Sequence, residues 1–435
     1  MKLAISLLVA AALLITGVAG CTGPRATSVA VAVPTDGDPG RAPDPRLADA
    51  INGFAFDLVR NVGSGPAEDT RTNTIVSPFS AHAALTMTLN GAAGTTEDEM
   101  LAALHLHELG LEDANVAYAD LIAALARVDS RTSTTLAIAN SLWPDSSNVP
   151  DPLFVEANRR YFGAHIEPTQ LAGPDAADRI NRWVAERTNG NITDVIDSME
   201  GNPVLIIVNA VHIDAVWSRK FDEQNTHDRQ FNVGSSSGVP ETVRVPFLHE
   251  TTTYRYKQTD HGQAVCLPFT DGRLVMWVVL PSPDEGGDAA SRLDAMIADL
   301  DPEGWRSLVG AAEEHEVVLA MPKLDARDHS NLEAALSEMG MPSAFSPGAA
   351  SFPGIAPDVD GSVWMERVLH ETHLAVDEEG TRASATTTII MAADSAEEAP
   401  RETPVEMTVD RPYLIAIEDA PTGTLLFLGA IYDPR

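Results

Sequence analysis

Apolar residues first recur at helical spacing. Leu47, Ile51, Phe54 and Leu58 stand three and four positions apart, which marks one buried face of a helix. In the next block, residues 73–100, Ser77 followed by Pro78 pairs a capping residue with a first-turn proline. That pair predicts a helix running to about Asn90 and stopped by Gly91, and Thr95 with Asp98 predicts a second capped start. A third helix is expected over Asp175–Thr188, with Ile180, Trp183 and Val184 inward and Asn189-Gly190 closing it. Beyond it the period changes. Val204–Val208, Val275–Leu280, Val317–Met321 and Thr424–Ile431 are short apolar or β-branched runs bounded by Gly, Pro and Asp, the pattern of strands buried on both faces. Helices dominate the first half and strands the second with no composition break between them, so residues 46–435 read as one α+β domain.

The N-terminus follows a different pattern. Lys2 precedes an apolar run from Leu3 to Ile15 that is too short for a comfortable membrane span, so residues 1–20 read as an export signal. Val18-Ala19-Gly20 before Cys21 resembles the bacterial lipobox, which implies diacylglycerol attachment at the Cys21 thiol; the alternative is ordinary signal cleavage beside an incidental cysteine. Residues 21–45 are rich in Pro, Gly, Ala, Thr and Ser, the composition of a flexible tether. The remaining cysteine, Cys266, sits in Ala264-Val265-Cys266-Leu267 and reads as a small buried hydrophobe. A protein exported and lipid-anchored on the outer face of a bacterial membrane is the expectation, with the anchor its only membrane contact.

Charge narrows the functions. With 63 acidic against 29 basic residues the net charge is −34, which repels phosphate backbones and argues against nucleic-acid binding. No catalytic motif emerges either. His107-Glu108 lacks the second histidine of a zinc-protease helix, and His370-Glu371-Thr372-His373 has the wrong spacing for one. A hydrolase using Ser77 and His82 is disfavoured, because Ser77 begins a helix and no orienting acid is evident. No cofactor and no metal site is expected.

The same 73–100 block resembles the serpin signature, in which N-x-x-x-S-P-x-S leads into a helix ending G-A-x-G-x-T. The likeness continues in order through LAIANSLWPDS (136–146), INRWVAERTNGNITDVI (180–196), VNAVHIDAVWSRKF (208–221), VLHETHLAVDEEGTRASATT (368–387) and VDRPYLIAIEDAPTGTLLFLGAIYDP (409–434). The resemblance implies three β-sheets, eight or nine helices and an exposed reactive loop over about 378–408. It also implies a monomeric inhibitor of serine proteases, not an enzyme: a protease cuts the loop, whose upstream half inserts into the main sheet and traps the acyl-enzyme. The alternative is a binding or chaperone-like serpin that is merely cleaved.

Insertion makes a demand that the residues can be asked to meet, since a strand buried on one face must alternate. The hinge runs Glu378, Glu379, Gly380, Thr381, Arg382, Ala383, Ser384, Ala385 and Thr386. Counting from Gly380, the inward set is Thr381, Ala383, Ala385, Thr387, Ile389 and Met391, all uncharged and small at first, while Arg382 falls outward. No proline interrupts the run before Ala399. By the family's usual count from the hinge the scissile bond falls at Asp394-Ser395; counting back from Arg411-Pro412 gives Arg401-Glu402. Met391 or Ala393 would suit elastase- or subtilisin-like proteases and Arg401 trypsin-like ones. By position in the family, Ser77, Ser80, Asn209 and His370 match a polar cluster beneath the opening strands, and Trp217 matches the aromatic at the loop's entry.

Overall fold

The computed structural model describes residues 3–11, 34–62, 72–127, 134–188, 190, 192–193, 195–196, 203–234, 241–283, 288–357, 363–381 and 403–435. A first strand, β1 (Leu3–Ala11), precedes α1 (Pro45–Val62), which buries Leu47, Ile51, Phe54 and Leu58 completely, as the spacing requires. After β2 (Thr74–Val76), α2 (Pro78–Leu89) is buried on every side. Ser77 does stand at its N-cap, but its hydroxyl does not cap; it donates instead to the Leu426 carbonyl at 2.8 Å. A second expectation shifts by one residue. Helix α3 (Thr95–Ala103) is preceded by Gly94 at φ +59°, so Thr95 lies inside the helix and forms no capping box with Asp98.

The middle of the chain comprises α4 (Leu111–Leu125), β3 (Thr135–Pro144), α5 (Pro152–Phe162), β4 (His165–Ile166), α6 (Ala176–Arg187) and β5 (Pro203–Asp214). Then follow β6 (His227–Gly234), β7 (Glu241–Thr259), β8 (Gly262–Pro268), β9 (Leu274–Pro281), α7 (Ala289–Asp299) and α8 (Pro302–Val309). The last third holds β10 (Glu313–Pro322), β11 (Leu324–Asn331), α9 (Glu333–Glu338), β12 (Val363–Val376), β13 (Val405–Thr408), β14 (Tyr413–Asp419) and β15 (Thr424–Ile431). Every strand expected from an apolar run is present, inside β5, β9, β10 and β15.

The main sheet has the order β11-β12-β1-β5-β3-β4. The other strands form a continuous path in which β7, nineteen residues long, serves two sheets. Its first part pairs β6 and β10, and β13 lies beyond β10; its last residues pair β8, opening the series β8-β9-β14-β15-β2. Three sheets result. The main sheet is covered on one face by α2 and on the other by α6, whose Ile180 and Val184 pack on Trp143, Ile206 and Val208. That double burial explains why β5 carries the unbroken apolar run Val204–Val208.

The expected tether ends earlier than its composition implies. Residues 34–44 lie against α4 and α5: Arg41 makes a paired contact with the buried Asp120 at 2.5 and 2.8 Å, and Asp36 pairs with Arg160 at 2.5 Å. Gly37 packs so tightly on α4 that a Cβ there would stand 2.5 Å from the Ala119 carbonyl oxygen. Charge pairing and a close glycine hold this stretch, and neither leaves a trace in hydrophobic periodicity.

Candidate functional site

At the end of β12 the chain turns sharply. The Asp377 carboxylate accepts from the N–H groups of Glu379 and Gly380 at 2.8 and 3.2 Å, and Asp377 N–H donates to the Gly380 carbonyl at 3.1 Å. This small loop is nailed to the segment after β5. Trp217 donates from its indole to the Asp377 carbonyl at 2.9 Å and from its backbone to Glu379 at 3.0 Å, and Phe221 N–H reaches Glu378 at 2.9 Å. The Trp217 ring stacks on Phe269 with centroids 4.6 Å apart and 7° between planes, which fixes the indole's direction. Trp217 therefore stands beside the turn that follows β12.

Gly380 has to be a glycine. It sits at φ +151°, and a Cβ would lie 2.1 Å from the Ala215 carbonyl oxygen and 2.8 Å from Val216 Cα. That close approach brings Thr381 against the end of β5, where its N–H donates to the Ala215 carbonyl at 2.8 Å and its hydroxyl accepts from Ala215 N–H at 3.2 Å. Thr381 is fully buried. Thr381, the first residue expected to point inward, is thus seated against the residue that follows β5.

Two charge pairs brace the hinge. Glu378 meets the Lys323 ammonium at 2.7 Å and accepts from the Thr226 hydroxyl at 2.8 Å, and Glu379 pairs with Lys220. Burial works against the Glu378 carboxylate, but Lys323 and Thr226 overcome it and hold its pKa below the ordinary glutamate value. Lys220, Thr226 and Lys323 were not expected from the sequence. They lie 159, 152 and 55 residues from their partners, so no local pattern could announce them. The hinge residues Arg382, Ala383, Ser384, Ala385 and Thr386, the scissile candidates Met391, Ala393, Asp394, Ser395 and Arg401, and the lipidation candidate Cys21 all fall outside the described residues.

The polar cluster expected beneath the sheet forms in two halves. Ser80 Oγ hydrogen-bonds Asn209 Oδ1, and the Asn209 amide donates to Asn140 Oδ1, whose own amide donates to the Phe162 carbonyl at 2.8 Å. Separately, His370 Nε2 accepts from the Ser77 N–H at 3.0 Å. All of these residues are buried. Asn140 was missed, although a lone asparagine inside the apolar run of LAIANSLW was the signal that could have found it. Between the halves stands β1, with Val9 paired to Asn209 on one side and to His370 on the other.

His82 belongs to a different, structural network. One ring nitrogen lies 2.6 Å from the Tyr118 hydroxyl and the other 2.9 Å from the Leu104 carbonyl, and burial lowers its pKa to about 3. Such a histidine stays neutral and does not serve Ser77, which bonds elsewhere. The Cys266 thiol is buried as expected, and burial pushes its pKa up to about 12.

Comparison with known proteins agrees with this anatomy. A family model described as Serpin (serine protease inhibitor) matches residues 49–434. An uncharacterised serpin-like protein of Thermococcus kodakarensis is 30% identical over 399 residues, covering 89% of this chain and 86% of the relative. Antithrombin-III of Homo sapiens is 27% identical, covering 89% and 82%. Among solved structures, the thermophilic serpin tengpin in its native state superposes with a TM-score of 0.76 at 25% identity, covering 90% of this chain and 95% of tengpin. Human thyroxine-binding globulin shares the fold, with a TM-score of 0.75 at 22% identity over 89% of this chain and 98% of the globulin. The chain belongs to the serpin family.

Proposed function

We propose that this serpin is a suicide substrate for serine proteases, exported and held at the outer face of the membrane by a lipid on Cys21. Members of the family generally act on such proteases. The observation that carries the finer reading is the seating of Thr381 against Ala215, immediately after β5. A loop so anchored, followed by small uncharged residues at alternate positions, is prepared to continue downward as a strand.

In the reaction, the protease serine Oγ adds to the scissile carbonyl. The C–N bond breaks and the amine leaves with a proton from the protease's own histidine, so the upstream half of the loop is left as an ester on the enzyme. That freed half enters the main sheet and gains ladder hydrogen bonds on both sides, each worth about 1 kcal/mol net. Insertion drags the protease away before water can cleave the ester. The loop's residues suit elastase- or subtilisin-like enzymes if the bond lies near Met391 to Ser395, and trypsin-like ones if it lies at Arg401.

A carrier role is the competing reading, since thyroxine-binding globulin shares this fold. The hinge argues against it: its inward positions Thr381, Ala383 and Ala385 carry neither charge nor bulk, and no proline interrupts the run before Ala399. The test is to recover the exported protein from the membrane fraction and incubate it with elastase, subtilisin and trypsin. A complex that survives denaturing electrophoresis is expected, and mass spectrometry of its loop places the scissile bond. Cleavage without any such complex rejects inhibition.

A further inference from the structure

Two large apolar side chains stand open to water among the described residues. Val149 is 76% exposed and Leu153 80%, and both lie where β3 connects to α5. Pro152, beside Leu153, is exposed as well. The acids within this tip are turned to backbone groups. The Asp145 carboxylate accepts from the N–H groups of Ser147 and Leu171 at 2.9 and 3.0 Å, and Asp151 caps α5 by accepting from Leu153 N–H at 2.7 Å. Every residue between the two acids is neutral. On a chain of net charge −34, an uncharged tip is the surface that a lipid face repels least. The tip is also held firmly, because the Asn148 amide donates to the Ile355 carbonyl at 2.9 Å and Asp151 N–H to the Gly354 carbonyl at 2.8 Å.

Its place in the fold matters as much. Strand β3 runs antiparallel to β5, from Thr135 opposite Asp214 to Pro144 opposite Leu205. Ala215, the residue after Asp214, holds Thr381. The tip therefore lies at the other end of β3, about 30 Å from the hinge. The N-terminal chain arrives close to it. Asp36 N–H donates to the Arg160 carbonyl and the Asp36 carboxylate pairs with the Arg160 side chain. Arg160 stands about 10 Å along α5 from Leu153. Residues 22–33 can bridge at most about 45 Å between Cys21 and Pro34, so a lipid on Cys21 keeps the bilayer within reach of the tip.

We propose that Val149, Pro152 and Leu153 form a membrane-resting surface, which dips into the headgroup layer and holds the anchored serpin upright with its hinge away from the bilayer. This rests on the lipid-anchor reading above. A lipid face suits the tip better than a protein does. Two protruding side chains bury far less than the roughly 800 Å² per partner of a stable protein interface, whereas shallow insertion needs only apolar side chains free of charge. Burying both favours contact by about 100-fold, too little to hold a free protein on a membrane but enough to orient one already tethered there.

The test is photo-crosslinking in the membranes of exporting cells. Leu153→p-benzoylphenylalanine should form lipid adducts at about ten times the yield of Gln224→p-benzoylphenylalanine, an exposed control near the hinge. Val149→Glu, which touches no core residue's burial, should cut the Leu153 yield about tenfold while the protein stays in the membrane fraction. Equal yields at the two positions, a yield that Val149→Glu leaves unchanged, or a Leu153 adduct with a second copy or another protein each overturn the proposal. The anchor is read separately, by mass spectrometry of the N-terminal peptide. An unlipidated Cys21 overturns the anchor reading and this proposal with it, whereas a lipidated chain without the excess at Leu153 overturns the orientation alone.

Discussion

Under the proposed mechanism, replacing Thr381 by arginine should convert the serpin from an inhibitor into a substrate. Thr381 is fully buried, bonded through its N–H to the Ala215 carbonyl and through its hydroxyl to the Ala215 N–H. No carboxylate among the described residues is bonded to it, so an arginine seated there would bury an unpaired charge at a cost of about 3 kcal/mol. Spent on the first step of insertion, that slows entry about 150-fold. The acyl ester hydrolyses at an unchanged rate, so nearly every encounter should end in release. Thr381→Val is the control: it keeps the shape and loses only the hydroxyl contacts, worth about 1 kcal/mol, or about fivefold. The assay is titration of protease activity against inhibitor, read beside the fraction of covalent complex on a denaturing gel. The initial cleavage rate should not change, because Thr381 lies far along the chain from the bond attacked. Trapping by Thr381→Arg at the parent stoichiometry would refute the seating argument.

Other outcomes follow from the same contacts. Lys323→Met should destabilise the protein by about 1–2 kcal/mol in urea, and most of that loss should vanish in a Glu378→Gln background, since the cost is the stranded carboxylate. The depressed Glu378 pKa gives a contribution present above the ordinary glutamate value of 4.5 and lost as pH falls through the lower folded value, so Trp217 fluorescence should report hinge loosening only on acidification below that ordinary value. His82 remains neutral when folded but takes up a proton when unfolded below pH 6.5; stability should therefore fall on acidification by up to about 1.4 kcal/mol per unit, and His82→Gln should flatten that slope. Gly380→Ala should cost about 2 kcal/mol and slow insertion, because its methyl would stand 2.1 Å from the Ala215 oxygen.

What the sequence disclosed was whatever repeats at a fixed interval. The face of α1, the ends of α2 and α6 and the cores of β5, β9, β10 and β15 all follow from apolar spacing and punctuation. Side-chain roles at element ends were harder. Ser77 occupies the cap position, yet its hydroxyl is drawn to Leu426 because burial sets it beside a carbonyl there. The hinge turn was legible through Gly380, but its braces were not, because Lys220, Thr226 and Lys323 are joined to it only by tertiary folding. Segment 34–44 looked like a tether because it lacks large apolar groups, whereas Arg41 and Asp36 anchor it through ions. Length and flanking charge marked Leu3–Ile15 as a leader. The same uncharged run satisfies a buried strand, and periodicity alone does not separate the two demands.

The proposed mechanism requires the main sheet to open without stranding buried polar groups, and the arrangement of the polar cluster meets that demand. A buried asparagine or histidine stripped of partners would cost about 1–3 kcal/mol, enough to seal β5 against β12 if their cluster groups depended on each other alone. They do not. With β1 between the strands, Asn209 keeps Ser80 and Asn140, and His370 keeps the Ser77 N–H, each on its own side of the divide. Parting β5 from β12 therefore breaks none of these bonds. Under the proposed mechanism, the contacts left to set how soon a cut loop begins to enter are those of Glu378, Glu379 and Trp217, which hold the turn after β12.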